Sequence, residues 1–125
     1  MSLTPYYLHL TTPKGNDIGV LEDNEFLSID AKLLYQSAIL TDNCEYFWAE
    51  EDSSVLLGSP NYNHNLGVGW KILENEKKSV YQISNTNFYT PKKRFKCVVA
   101  YNQKSLYSAI IEIFNSPYYK DTYYI

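Results

Sequence analysis

The chain has 125 residues, a formal net charge of −3 at pH 7 and a hydrophobic share of 45%. A chain of this length fits one domain, which can bury roughly two thirds of its unfolded surface. The acidic balance argues against a general nucleic-acid binder, which needs a clustered positive field. No apolar run in the sequence is long enough to cross a bilayer, so neither nucleic acid nor a membrane is an expected partner.

Tyrosine is unusually frequent, with 13 residues, and this favours β-strands and aromatic pairs between them. Residues 6–11 alternate weakly and predict a first strand. Residues 26–35 alternate strictly, and this period of two indicates a half-buried strand. The side chains predicted to face inward from it are Leu27, Ile29, Ala31 and Leu33.

Two further segments, 44–52 and 95–101, also predict strands. In the first, Cys44, Tyr46 and Trp48 are expected to share the inner face. The remaining predicted strands are 70–73, 79–83 and 107–114, with a short edge strand at 55–57. Because no segment shows helical periodicity, the sequence predicts an all-β domain.

The long loop at residues 53–69 is the best candidate for recognition, because long loops on a rigid scaffold often bind ligands. It offers aromatic faces and amide groups suited to sugars, from Tyr62, His64, Asn61, Asn63 and Asn65. In the alternative interpretation, Tyr62 and Leu66 pack back on the domain and the asparagines only form turns.

The sequence offers no set of residues for catalysis or for a cofactor. Its two histidines, His9 and His64, have no metal-ligand spacing around them. The acidic run 50–52 lies on a strand, where consecutive side chains point to opposite faces, so it is not a prearranged carboxylate pair. The basic run 92–96 is interpreted as solubility and edge protection. We therefore predict a non-enzymatic protein without cofactor or metal.

The two cysteines are predicted to be free thiols. If Trp48 packs level with Cys97, four extended residues place Cys44 about 13 Å further along its strand. Disulfides need Cα atoms within about 7 Å. Cys97 is expected to be a buried core residue, because the adjacent Lys96 points to the opposite face and cannot activate it.

Several segments together resemble a known group of domains. They are WAEED at 48–52, SPNY at 59–62, GVGWKIL at 67–73 and FKCVV at 95–99. The stretch from about residue 27 to 114 resembles the immunoglobulin-like domains of large structural proteins from phages and prophages of low-GC Gram-positive bacteria. The strands around Trp48 and Cys97 are similar to the C and F strands of that fold.

The resemblance implies an immunoglobulin-like antiparallel β-sandwich of about seven to eight strands. Its expected core residues are Trp48, Cys97, Tyr46, Leu33 and Phe95. The chain departs from antibody domains in two ways. Phe95 replaces the frequent corner tyrosine, and the cysteine expected on the B strand, near Leu33, is missing.

The domain is expected to span residues 1–117. Residues 118–125 would be a linker or the start of a following, truncated domain, because TPYYL at 4–8 is similar to DTYYI at 121–125. The resemblance implies a component of the virion tail or its appendages, made in the bacterial cytoplasm. It would act as a spacer and weak adhesion module, with other domains of the same polypeptide, virion proteins and host cell-wall glycan as partners. The alternative is a carbohydrate-binding module of a cell-wall hydrolase or adhesin at the bacterial cell surface.

Overall fold

A computed structural model describes residues 6–16, 18–22, 25–84 and 90–116, which form an all-β sandwich of two sheets. The predicted all-β sandwich is thereby confirmed. The strands are β1 (Tyr6–Thr12), β2 (Gly15–Asn16), β3 (Ile18–Leu21), β4 (Phe26–Tyr35), β5 (Ala38–Leu40), β6 (Cys44–Glu51), β7 (Trp70–Leu73), β8 (Val80–Ser84), β9 (Lys92–Tyr101) and β10 (Ser105–Asn115).

Each sheet contains five strands. The first sheet has the order β2-β1-β4-β5, with β8 also paired to β4. The second has the order β3-β10-β9-β6-β7. Neighbouring strands are antiparallel except β3, which runs parallel to β10.

The strict alternation read from the sequence explains how β4 forms one wall of the core. Its four apolar inward positions are buried, whereas the residues between them are partly or fully exposed. From the opposite sheet, β6, β9 and β10 contribute side chains to the same cluster. A strand with one apolar face must cover that face, and here the two sheets cover each other.

All five residues predicted for the core lie in it. Their exposed fractions are 0% for Trp48, Cys97 and Leu33, 1% for Phe95 and 9% for Tyr46. Trp48 lies directly opposite Cys97 in the register of β6 with β9. Burial raises the pKa of the Tyr46 hydroxyl and of the Cys97 thiol above their ordinary values.

Trp48 also joins the two sheets. Its indole Nε1–H donates a hydrogen bond of 2.8 Å to the backbone oxygen of Lys78, just before β8. Its ring stacks on Tyr81 of β8, with centroids 5.7 Å apart. A side chain of the second sheet is therefore held by both a polar and an aromatic contact with the first.

Both thiols are free, as predicted. Cys97 pairs in register with Trp48, whereas Cys44 pairs with Tyr101 at the end of β9. The separation of four positions between Cys44 and Trp48 thus keeps the two sulfur atoms in different layers of the core.

The prediction of a strand at 55–57 is wrong. The chain turns there instead: Val55 is buried, while Leu56 and Leu57 are exposed. The sequence analysis also missed β2, β3 and β5. Residues 118–125, expected to be a linker or a following domain, lie outside the described residues.

The parallel pairing of β3 with β10 depends on a small residue. A Cβ atom at Gly19 would lie 2.6 Å from Cδ1 of Ile113 and 3.0 Å from Cδ2 of Leu27. Both neighbours belong to the core cluster. Glycine therefore lets β3 approach the core more closely than any other residue would.

Replacing Trp48 with alanine should destabilise the domain by roughly 3–5 kcal/mol, because it removes a large buried side chain and leaves a cavity. Trp48→Phe is the matched control. It keeps a ring but loses the donor to Lys78, so we expect a smaller loss. Urea unfolding followed by circular dichroism measures both. A loss below about 1 kcal/mol for Trp48→Ala would contradict the central position of this residue.

Candidate functional site

Residues 53–69, between β6 and β7, form a loop that covers the outer face of the second sheet. Leu66 of this loop is buried in a second, smaller cluster with Ala49 and Val98. Those two residues alternate with Trp48 and Cys97 along their strands, so they lie on the face directed away from the main core. Phe47, Trp70 and Ile72 pack around the cluster.

Main-chain hydrogen bonds tie the loop to its own ends. The amide of Asp52 donates to the oxygen of Gly69 (2.8 Å), and the amide of Gly69 donates to the oxygen of Val55 (2.9 Å). Further along, Ile72 N–H donates to the oxygen of Asn61 (3.3 Å). These bonds satisfy backbone groups that would otherwise be unpaired near an apolar cluster.

The side chain of Lys96 contacts the loop near its end, at Leu66. Its ammonium group donates to the backbone oxygen of Leu66 at 2.9 Å and lies 5.3 Å from the centre of the Trp70 ring. Burial lowers the pKa of this amine. Lys96 thus points to the outer face, away from Cys97, and its side chain stabilises the loop.

The five loop residues predicted for recognition have unequal positions. His64 and Asn61 are exposed, whereas Tyr62, Asn63 and Asn65 are half-buried. Asn63 is committed to the fold, because its side-chain oxygen accepts the amide of Asn65 at 2.8 Å and its carbonyl accepts the amides of Leu66 and Gly67. The structure thus combines both interpretations: Leu66 packs back and Asn63 forms a turn, while His64 and Asn61 face solvent.

The acidic and basic runs noted in the sequence meet across β6 and β9. Glu50 lies 3.5 Å from Lys93, and Glu51 lies 2.9 Å from Arg94. Asp52 instead accepts hydrogen bonds from Ser54, which lower the pKa of its carboxyl group. The two runs therefore largely neutralise each other, and neither forms a free charged patch.

A second surface, which the sequence analysis missed, lies at one end of the sandwich. Four half-buried tyrosines meet there. The ring of Tyr6 lies 4.7 Å from Tyr35, 5.1 Å from Tyr107 and 5.8 Å from Tyr101. Burial is the main cause that raises the pKa of Tyr6, and the neighbouring phenols add to it. We call this region the tyrosine end.

A cleft of about 430 Å³ opens at the tyrosine end. Its lining side chains come from the start of β6 and from the turn between β9 and β10: Asn43, Cys44, Glu45, Asn102 and Gln103. This volume falls within the range of small-molecule sites, roughly 300–1,000 Å³. The high tyrosine count was the signal that the sequence offered for the tyrosine end. Only the register of the strands brings the four tyrosines together.

The remaining candidate groups from the sequence lie outside the loop and the tyrosine end. His9 lies on the outer face of β1, with its ring 5.5 Å from that of Tyr7. Within the described ranges, no three His, Cys, Asp or Glu side chains come together as metal ligands would. The same residues include no helix long and apolar enough to cross a membrane.

Comparisons with known proteins add no family to this picture. No protein-family model matches the chain, and a search of curated proteins finds no match. The resemblance to phage immunoglobulin-like domains therefore stays a hypothesis, and the function has to be argued from the residues themselves.

The loop offers a matched pair of leucines for testing how it is held. Leu66 is 1% exposed and Leu57 is 75% exposed. Leu66→Ala should cost about 2–5 kcal/mol, because it empties a buried site, whereas Leu57→Ala should stay within about 0.5 kcal/mol of wild type. Chemical denaturation measures both. Equal effects of the two substitutions would show that the loop does not pack on the sheet.

The two thiols should differ in reactivity. Cys97 is buried and Cys44 is half-buried, so one thiol per native chain should react with a disulfide reagent and two in denaturant. Burial raises the pKa of Cys44, so less thiolate is present at a given pH. Its reaction should be slower than that of free cysteine at pH 8 and should still accelerate above the ordinary pKa of about 8.5.

In this experiment, Cys44→Ser is the control and should leave no fast thiol in the native chain. If both thiols of the wild-type protein reacted at equal rates before unfolding, the burial of Cys97 would be contradicted.

Proposed function

We propose that this domain is a non-enzymatic spacer and weak adhesion module of a larger phage or prophage virion protein. One observation carries the proposal: the described chain enters the sandwich at one end and leaves it at the other. Domain termini often lie close together, so this arrangement is informative. It suits a module that is joined to others in a row.

The contacts of the first and last strands define the two ends. Tyr6 opens β1 at the tyrosine end, where its ring contacts Tyr101 and Tyr107. The last strand, β10, starts beside Tyr101 and finishes with Asn115 paired to Leu21. With 11 residues, β10 covers roughly 35 Å along the sandwich. Two neighbouring domains, one at each end of the sandwich, would thus be separated by about this distance.

The strand order supports an immunoglobulin-like arrangement. In that fold, strands A, B and E share one sheet, and strands C, F and G share the other. Here β1, β4 and β8 share one sheet, while β6, β9 and β10 share the other. The tryptophan of β6 packs opposite the cysteine of β9, as the C and F strands would place them.

The adhesive part of the proposal concerns host cell-wall glycan. The loop at 53–69 presents Asn61 and His64 to solvent beside the half-buried Tyr62. Single contacts of this kind are weak, but many copies on one virion would add avidity. The same exposed residues favour the second candidate, a carbohydrate-binding module of a cell-wall hydrolase or adhesin.

Binding of the labelled domain to Gram-positive cells and to purified wall polysaccharide separates the two candidates. A spacer with weak adhesion should bind only when displayed in many copies on beads. A dedicated carbohydrate-binding module should bind saturably as a monomer and lose binding in Tyr62→Ala. Tyr7→Ala is the matched control, because Tyr7 is an exposed tyrosine on the other sheet.

The spacer part has its own test. Two copies of the full chain fused in tandem should give, by small-angle X-ray scattering, a maximum dimension close to twice that of one copy. A compact particle with the two domains side by side would overturn the spacer. Absence of wall binding even on beads would remove the adhesive part and leave the spacer untouched.

A further inference from the structure

Backbone strain in this protein is concentrated at the tyrosine end. Five residues other than glycine adopt the left-handed conformation there: Gln36 (φ 50°), Ser37 (φ 80°), Asn43 (φ 62°), Asn102 (φ 54°) and Gln103 (φ 61°). Such residues are uncommon, and they cluster at ligand clamps and active sites, where the surrounding structure holds them in place.

The hairpin turns account for the conformation but not for the residues. Hairpin turns favour Asn, Asp or Gly at their left-handed positions. Asn102 follows this preference, whereas Gln103 does not, since glycine would adopt its φ of 61° with less strain. Gln103→Gly is therefore a substitution that the backbone at this position should accept without loss of stability.

The strained residues also meet each other. The amide of Asn102 donates to the backbone oxygen of Asn43 at 2.9 Å, which ties the turn after β9 to the start of β6. The side chains of Asn43, Asn102 and Gln103 line the same cleft, together with Cys44 and Glu45. The two turns that line the cleft are therefore joined by a main-chain hydrogen bond, which favours a defined geometry for a ligand to meet.

We propose that this cleft binds a neutral saccharide. Three amide side chains line it, and an amide donates and accepts hydrogen bonds at once, as a sugar hydroxyl does. The one charged lining residue, Glu45, is paired with Lys77 at 3.4 Å, so the lining carries little net charge and favours a neutral ligand over an anion.

This inference rests on the adhesive part of the proposed function and gives it a site other than the 53–69 loop. Cys44 provides a built-in reporter, because it is the half-buried thiol in the cleft wall. A bound sugar should slow its modification. The probes are galactose, glucose, N-acetylglucosamine, lactose and chitobiose, each titrated to 100 mM.

At least one of these sugars should slow the modification of Cys44 at least threefold in a saturable way. In a ¹H–¹⁵N spectrum it should also shift the amides of Asn102, Gln103 and Glu45. Gln103→Gly removes the lining side chain and relieves the strained backbone. It should therefore melt no lower than wild type, yet bind the sugar at least tenfold more weakly. Gln36→Gly is the matched control, because Gln36 is also a left-handed glutamine (φ 50°) but lies outside the cleft lining.

Four results would overturn the inference. One is the absence of protection by all five sugars, and another is unchanged sugar affinity in Gln103→Gly. The third is binding that survives Gln103→Gly but is lost in Tyr62→Ala, which would move the site to the loop and keep the adhesive function. If the domain bound wall polysaccharide without any shift at Asn102 or Gln103, adhesion would stand and this site would fall.

Discussion

The register of β6 against β9 is the constraint on which the rest of the sandwich depends. It sets Trp48 opposite Cys97 on the inner face. From that position the indole reaches the other sheet, where it donates to Lys78 and stacks on Tyr81. A shift of one residue would turn Trp48 outward and bring Ala49 inward, so the main core and the loop cluster would both lose their contacts.

Strong periodicity explains how much of the fold could be predicted. The alternation of 26–35 defines a face, and the structure has β4 with the same bounds. The β6 and β9 segments could be predicted for the same reason, because large apolar residues alternate there. The short strands β2, β3 and β5 escaped prediction because two to four residues carry too little pattern. The apolar run at 55–57 was misleading, since only Val55 is buried and the chain turns around it.

The two candidate sites differ in how far the sequence alone predicts them. The 53–69 loop could be located from composition, because its Asn, Gly and Pro residues interrupt the strand pattern. How it folds could not be predicted, since the anchoring of Leu66 depends on Lys96, which lies 30 positions further along the chain. The tyrosine end is wholly a product of topology. It joins Tyr6, Tyr35, Tyr101 and Tyr107 from four strands of two sheets, and no local spacing marks them.

The ion pairs between β6 and β9 decide what kind of recognition the surface can offer. Because Glu50 and Glu51 pair with Lys93 and Arg94, these charges are turned toward each other rather than toward a partner. What the cleft at the tyrosine end and the exposed part of the loop present is mainly amide and aromatic. Contacts of that chemistry depend little on salt, unlike those of exposed charges. Such a surface suits neutral glycans better than charged polymers, and it agrees with a domain in which many acidic and basic residues pair with each other.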